Sequence, residues 1–220
     1  MRAASILLIC AAALLGAPAA GAAPSSLVAW TTETMALLKS GDPERGKGLT
    51  QQCASCHGSD GVAPSPNWPS LAGQLATYTY KQMRDYQDGK RQNSVMQSMT
   101  QGLSAQDLAD IAVYYEAQAL PPAQSESDGG ETAETLVFRG DGTRLIAACR
   151  GCHGRRGEGN VIAYPALAGQ HPQYLEKTLQ AYAAGERAND VYARMRNIAA
   201  ELTEDEIDAL AAYYGSLGPR

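Results

Sequence analysis

Apolar residues recur at helical spacing in two matching runs. Leu108, Ile111, Ala112 and Tyr115 fall at i, i+3, i+4 and i+7, and Ile207, Leu210, Ala211 and Tyr214 repeat the pattern. Each run opens on a capping box, Ser104-x-x-Asp107 in one and Thr203-x-x-Glu206 in the other, in which side chain and backbone satisfy one another's free first-turn groups. Asp42 followed by Pro43 reads as an N-cap with proline at the first helical position, starting a helix that runs toward residue 53. A further helix is expected after each Ala-Gly-Gln, at 72–74 and 168–170, and LVAWTTETMALL, beginning at Leu27, reads as an extra amphipathic helix. No stretch alternates with the period of a strand, so the pattern predicts an all-α chain.

The two runs belong to a longer internal repeat. Cys53-x-x-Cys56-His57 recurs as Cys149-x-x-Cys152-His153, and PSLAGQ from Pro69 recurs as PALAGQ from Pro165. Tyr78 pairs with Tyr174, Gly89 with Gly185 and Arg91 with Arg187 without a gap. Upstream, RGKG from Arg45 echoes RGDG from Arg139; downstream, the capped helices match only if the second copy holds three extra residues, placed after Asn189. PPAQSESDGGETAET, between the copies, has the composition of a linker. The expected organisation is a leader at 1–22, an N-terminal extension at 23–41, a first domain at 42–120, a linker at 121–135 and a second domain at 136–220.

Charge and targeting narrow the class. The chain begins Met1-Arg2, continues through a short apolar run and ends that run in small residues with A-x-A patterns, which is the form of a cleavable secretory signal. Cys10 lies inside it, so four cysteines remain in an exported protein. The formal net charge of -5 excludes nucleic acid as a natural partner. No later stretch approaches the roughly 20 apolar residues of a membrane span.

The repeated C-x-x-C-H motif admits three readings. A disulfide between cysteines three apart closes a very small loop and leaves the histidine without a task. Structural zinc wants four ligands in a tetrahedron, which one cysteine pair and one adjacent histidine do not supply. Covalent attachment of a c-type haem needs this arrangement, two thiols for the two vinyl groups and an imidazole beneath the iron. Cys53, Cys56, Cys149 and Cys152 are therefore expected to tether two haem c groups, with His57 and His153 on the iron. Haem would also supply the core that so small a helical unit lacks.

The opposite face of each iron needs a second ligand, and methionine favours a carrier over a catalyst. The second unit has one methionine after its haem motif, Met195. Counting from the capped helix puts Met96 opposite it, whereas counting from the cysteines puts Met99 there; the helix register pairs Met99 with Ile198. Met35 and Met83 read as core filler, and His171, before Pro172, as a helix cap. Arg150, Arg155 and Arg156 surround the second haem motif, where the first has Ala54, Ser59 and Asp60. Such a cluster would raise the potential of the nearby haem and steer an acidic partner.

A signal peptide, two C-x-x-C-H units, PxLAGQ after each and a methionine ahead of each LS/LT helix together make a chain that resembles the diheme cytochrome c4 family, from about Asp42 onward. The resemblance implies two tandem class I cytochrome c domains, each built around a covalently bound haem, the haems facing one another across the junction. It also implies that the methionine seven residues before the LS leucine is axial, which points to Met96 and Met195. Pro64 matches the proline whose carbonyl receives the proximal imidazole N–H, and the second unit has Asn160-Val161 there with no proline. Arg91 and Arg187 are expected close outside the ligands. Family members look like periplasmic carriers between a quinol-oxidising cytochrome bc complex and a terminal oxidase, in peripheral contact with membrane complexes. The alternatives are a diheme subunit or electron acceptor of a periplasmic dehydrogenase, or a diheme peroxidase-type enzyme.

Overall fold

The structure, a computed structural model, describes residues 24–160, 162 and 164–219. The expected leader lies outside the described residues. The chain forms α1 (Thr32–Lys39), α2 (Pro43–Leu49), α3 (Ala54–His57), α4 (Ala76–Gln87), α5 (Ser94–Thr100), α6 (Ala105–Glu116), α7 (Gly130–Phe138), α8 (Arg150–His153), α9 (Pro172–Ala183), α10 (Arg194–Ala199) and α11 (Glu204–Ser216). Among the described residues there is no strand, only isolated bridges between Asp141 and Ile146 and between Asn160 and Tyr164. No described helix is long and apolar enough to cross a membrane.

Two lobes repeat one plan. In the first, α6 packs on α2 and α4, and α4 carries α5; in the second, α11 packs on α7 and α9, and α9 carries α10. Both capping boxes form, with Ser104 and Thr203 accepting from the backbone of Asp107 and Glu206 while those side chains reach back to the caps. Asp42 caps α2 by accepting from the backbone N–H groups of Glu44 and Arg45. The apolar faces meet as the periodicity requires: Leu108, Ile111 and Tyr115 are buried in one lobe, Leu210 and Tyr214 in the other.

The extension is part of the first lobe. Thr31 caps α1, and α1 lies on α6. Leu38 is buried, with Val28, Trp30 and Leu37 packed against the same core. Met83 is buried in that core, but Met35 is 39% exposed and fills nothing: it sits on the outer face of α1.

Helix α7 starts inside the segment expected to be linker. Its first turn, Gly-Glu-Thr, is polar, and only Ala133, Leu136 and Val137 face inward, so composition hid it. The true connection, 121–129, is docked: the backbone N–H groups of Gln124 and Ser125 both donate to Gly215 O, at 2.7 and 3.2 Å. The echo of RGKG in RGDG is not a structural one either. Arg45 lies within α2 and pairs with Asp107 and Asp110, whereas Arg139 is the C-cap of α7. The counterpart of Arg45 is Arg144, which binds Glu206 of the second capping box at 2.6 Å.

Two consequences can be measured. The α-carbon of Gly46 approaches α6 so closely that a Cβ would lie 2.1 Å from Asp110 O. Gly46→Ala is expected to destabilise the first lobe by about 1–3 kcal/mol, read as an earlier first transition in guanidinium unfolding; an unchanged transition would show that α2 can slide without cost. In the second lobe, hydrogen bonding from Arg144 holds the Glu206 carboxylate down at about 2 against an ordinary 4.5. The stability this supplies is complete above pH 4.5 and is lost as the pH falls toward 2. Arg144→Met should lower the denaturation midpoint near neutrality and flatten its slope in that acid window, and parallel slopes in the two proteins would refute the assignment.

Candidate metal centres

Each C-x-x-C-H motif folds into a single turn of helix, α3 or α8, with the first cysteine at the N-cap and the histidine at the last helical residue. Gly58 and Gly154 follow with φ of +81° and +86°, which turns the chain sharply away behind the imidazole at a backbone angle that side chains rarely adopt. The Nδ1 of His57 lies 2.8 Å from Pro69 O, and that of His153 lies 3.0 Å from Pro165 O. With Nδ1 donating to the carbonyl, Nε2 holds its lone pair free, and among the described residues it has no hydrogen-bond partner. Burial pushes both imidazole pKa values below the ordinary range, against the opposing pull of the proline carbonyl. A neutral, buried, oriented imidazole is what an axial ligand requires.

The carbonyl belongs to Pro69, so the expectation for Pro64 is corrected. Gly61 O accepts from the backbone N–H groups of Leu71 and Ala72, which folds Pro69 back over His57 and leaves Pro64 on an exposed stretch. Gly157 O does the same with Leu167 and Ala168, which places Pro165 over His153. The second unit therefore has its proline after all. The signal was the repeated proline that opens PSLAGQ and PALAGQ, whereas Pro64 has no counterpart.

All four thiols are free and partly buried. Burial raises the Cys53 thiol and pushes Cys149 up to about 11, so these are neutral thiols and poor thiolate ligands or nucleophiles. The buried hydroxyls of Tyr115 and Tyr214 lie beside the Cys53 and Cys149 thiols. No cluster of three or more His, Cys, Asp or Glu residues suited to a metal ion occurs among the described residues.

Met96 lies on α5, which Asn93 caps by accepting from the Met96 N–H at 3.0 Å, and Met195 lies on α10. Both side chains are partly buried, whereas Met99 is 43% exposed. The three extra residues fall where the repeat placed them, in a 3-10 turn at Val191–Ala193 just before α10. There Tyr192 and Ala193 hold φ of 59° and 54°, a left-handed pair that costs of order 1–3 kcal/mol for each residue unless the surroundings enforce it.

The lobes join through reciprocal polar contacts. Gln74 accepts from the Ala166 N–H and donates to Ala166 O, both at 2.9 Å. Gln170 accepts from the Ser70 N–H at 2.9 Å and donates to Ser70 O at 3.0 Å. The glutamines of the two AGQ tripeptides thus each grip the residue after the opposite lobe's proline. His171 occupies the N-cap position of α9 but caps nothing: its Nε2 lies 2.9 Å from Ala63 O of the first lobe. Arg91 donates to Tyr174 Oη at 3.1 Å, and Arg187 donates to Tyr78 Oη at 2.8 Å, another exchanged pair. Both also reach Gln82 Oε1. Among the described residues neither guanidinium pairs with a carboxylate, although Arg187 is buried. Burial opposes ionisation of Tyr174, yet the two guanidiniums bring its phenol down to about 7. Such a positive centre calls for an anion. Carboxylated haem fits that donor set, just as it fits paired thiols beside a free imidazole nitrogen.

A family model described as Cytochrome c matches residues 43–117 and again 140–218. A cytochrome c4 of Pseudomonas aeruginosa is 39% identical over 179 residues, covering 80% of this chain and 89% of that protein. A thiosulfate dehydrogenase electron acceptor of Stutzerimonas stutzeri is 37% identical, covering 76% of this chain and 80% of that one. The crystal structure of reduced cytochrome c4 from Pseudomonas stutzeri superposes with a TM-score of 0.77 at 37% identity, covering 81% of this chain and 100% of that one. The chain therefore belongs to the diheme cytochrome c4 family, an all-α electron-transfer protein of two cytochrome c domains with two covalently bound haem c groups.

Proposed function

We infer that the chain is an exported, periplasmic electron carrier in which Cys53 and Cys56 tether one haem and Cys149 and Cys152 the other. His57 with Met96, and His153 with Met195, are the axial ligands, and Arg91 and Arg187 face the haem carboxylates at the junction. The observation that carries this reading is the pair of buried imidazoles, each held by Nδ1 and free at Nε2, beside two neutral thiols. Bound haem supplies a one-electron couple. The protein's part is to hold both axial positions closed, so that nothing binds or leaves when the electron moves. Met99 is set aside because its side chain faces solvent while Met96 turns inward from the same helix.

The partners follow from charge and kinship. Arg155 and Arg156 are exposed and line an open cleft with Phe138 and Tyr213, and Arg150 lies 5.1 Å over the Phe138 ring. The first lobe has no such cluster. An acidic redox protein would be drawn to the second lobe, and a quinol-oxidising cytochrome bc complex and a terminal oxidase are the donor and acceptor that suit an exported carrier of this family. A second reading, an electron acceptor of a periplasmic dehydrogenase, is supported by the 37% identical relative of that name.

Met96→Ala and Met195→Ala are each expected to remove about half of the weak near-infrared sulfur-to-iron absorption of the oxidised protein and to open one iron to imidazole, while Met99→Ala changes neither. Full absorption in either of the first two, or imidazole binding by the unaltered protein at rest, would overturn the ligand set and favour an enzyme. Changing Arg155 and Arg156 together to Gln should lower the second haem's midpoint potential by about 10–40 mV, since exposed charges act through high dielectric. It should also weaken the salt dependence of electron exchange with an acidic partner. An equal shift at both haems would count against the cluster.

A further inference from the structure

The two methionine segments begin at equivalent asparagines and then part company. Asn93 stays within its own lobe and caps α5 at the Met96 N–H. Asn189, its counterpart in the repeat, is drawn across the junction instead. Its Nδ2 donates to Asp85 Oδ2 at 2.7 Å and to Gln82 Oε1 at 2.9 Å, its carbonyl accepts from Lys81 Nζ at 2.7 Å, and its Oδ1 accepts from Arg187 Nε at 3.1 Å. It is 1% exposed. The first-lobe anchor is itself braced: Lys81 Nζ donates to Asp85 Oδ2 at 2.5 Å, and Ser26 Oγ, from the N-terminal extension, donates to Asp85 Oδ1 at 2.6 Å. Both Lys81 and Asp85 are buried.

From Asn189 the chain passes through the left-handed pair Tyr192 and Ala193 directly to Met195. On the far side of that turn, Asp190 accepts from the Arg196 N–H at 3.0 Å and from Arg196 Nε at 2.7 Å, bracketing the methionine. Two consecutive left-handed non-glycine residues persist only where both ends of the segment are fixed. One fixed end is the Asp190–Arg196 clasp, and the other is the first lobe. The arrangement has no mirror image, because the repeat places Lys177 and Ala181 where the first lobe has Lys81 and Asp85, and the described contacts of Asn93 stay within its own lobe.

We propose that Asn189, held by Lys81 and Asp85 of the first lobe, is a positioning residue for the second haem's methionine ligand, so that first-lobe packing sets the methionine side of the second haem, with no mirror-image tether on Met96. This rests on the reading of Met195 as axial. A tether on buried hydrogen bonds keeps the thioether on the iron against the tendency of the strained turn to relax outward, and that is a population argument: the open fraction of the site sets its apparent affinity for an outside ligand.

The test uses holoprotein with both haems. Porphyrin ring currents shift each coordinated methionine methyl far upfield in the reduced state, and Met96→Ala and Met195→Ala assign the two signals. Asn189→Ala is expected to broaden or abolish the Met195 signal, to leave the Met96 signal in place, and to let the oxidised second haem bind imidazole about tenfold more tightly. Asp85→Asn, altered in the other lobe and similar in shape, should act in the same direction and keeps the test open if Asn189→Ala yields no holoprotein. An unchanged Met195 signal and unchanged imidazole affinity in the variants would overturn the proposal, as would equal loss at both haems. If Met195→Ala itself removes no methyl signal, the axial assignment fails instead, and the two failures are thereby told apart.

Discussion

The structure turns on one bond made twice: an imidazole N–H donated to a proline carbonyl twelve residues downstream. It fixes the tautomer, the ring plane and the direction of the free nitrogen, and it does so with backbone that a glycine turn holds rigid. The residue after each proline is gripped by a glutamine from the opposite lobe. The orientation of either imidazole is therefore two covalent links from a hydrogen bond across the junction, and the lobes share a frame in which neither ring is set by its own lobe alone.

Around that frame the two copies have diverged where the constraint permits. The second lobe trades the direct run from α2 into the cysteine motif for a longer loop closed by the Asp141–Ile146 bridge, and it recruits Arg144 from that loop to hold its last helix. Three residues inserted before Met195 free Asn189 from capping and make it available to the other lobe. Charge has diverged too, with arginines gathered round the second motif and the extension packed on the first. A duplicated fold is thus kept alike at the cysteine motifs and their imidazoles and made unlike at the surrounding supports.

Much of this was legible in the residues, and what was not shares a cause. Capping boxes, helical stripes, the cysteine motifs and the position of the insertion are written in side chains at fixed spacing, so periodicity and self-comparison find them. The acceptor for His57 is a backbone carbonyl, which leaves no mark of its own; Pro64 drew attention by family likeness, while the repeat already singled out Pro69 and Pro165. His171 offered a local task as a cap, but a partner 108 residues away outbid it once the lobes met. Helix α7 was hidden by a polar first turn whose only inward contact near its start is Ala133. The glutamines of AGQ were visible as a repeat, yet their reciprocal role exists only in the assembled pair.

The junction also explains why the two domains share one chain. Separated, the first lobe would expose Gln74 and the Ser70 N–H, which water could serve, but it would also leave Lys81 and Asp85 at a new surface without Asn189 and strand Arg91 without Tyr174. The second would lose the partners of Gln170, His171 and Arg187. Each polar group left buried and unpaired costs about 1–3 kcal/mol, comparable to a large part of a small domain's stability. A tether that keeps the partner at high effective concentration removes the entropic obstacle to making all these bonds at once. Because the connecting segment is itself docked on Gly215, it restricts the lobes to the one arrangement in which the exchanged bonds can form. Rigid separation of the two metal centres then follows from chain connectivity and polar complementarity together, with little demand on a hydrophobic interface.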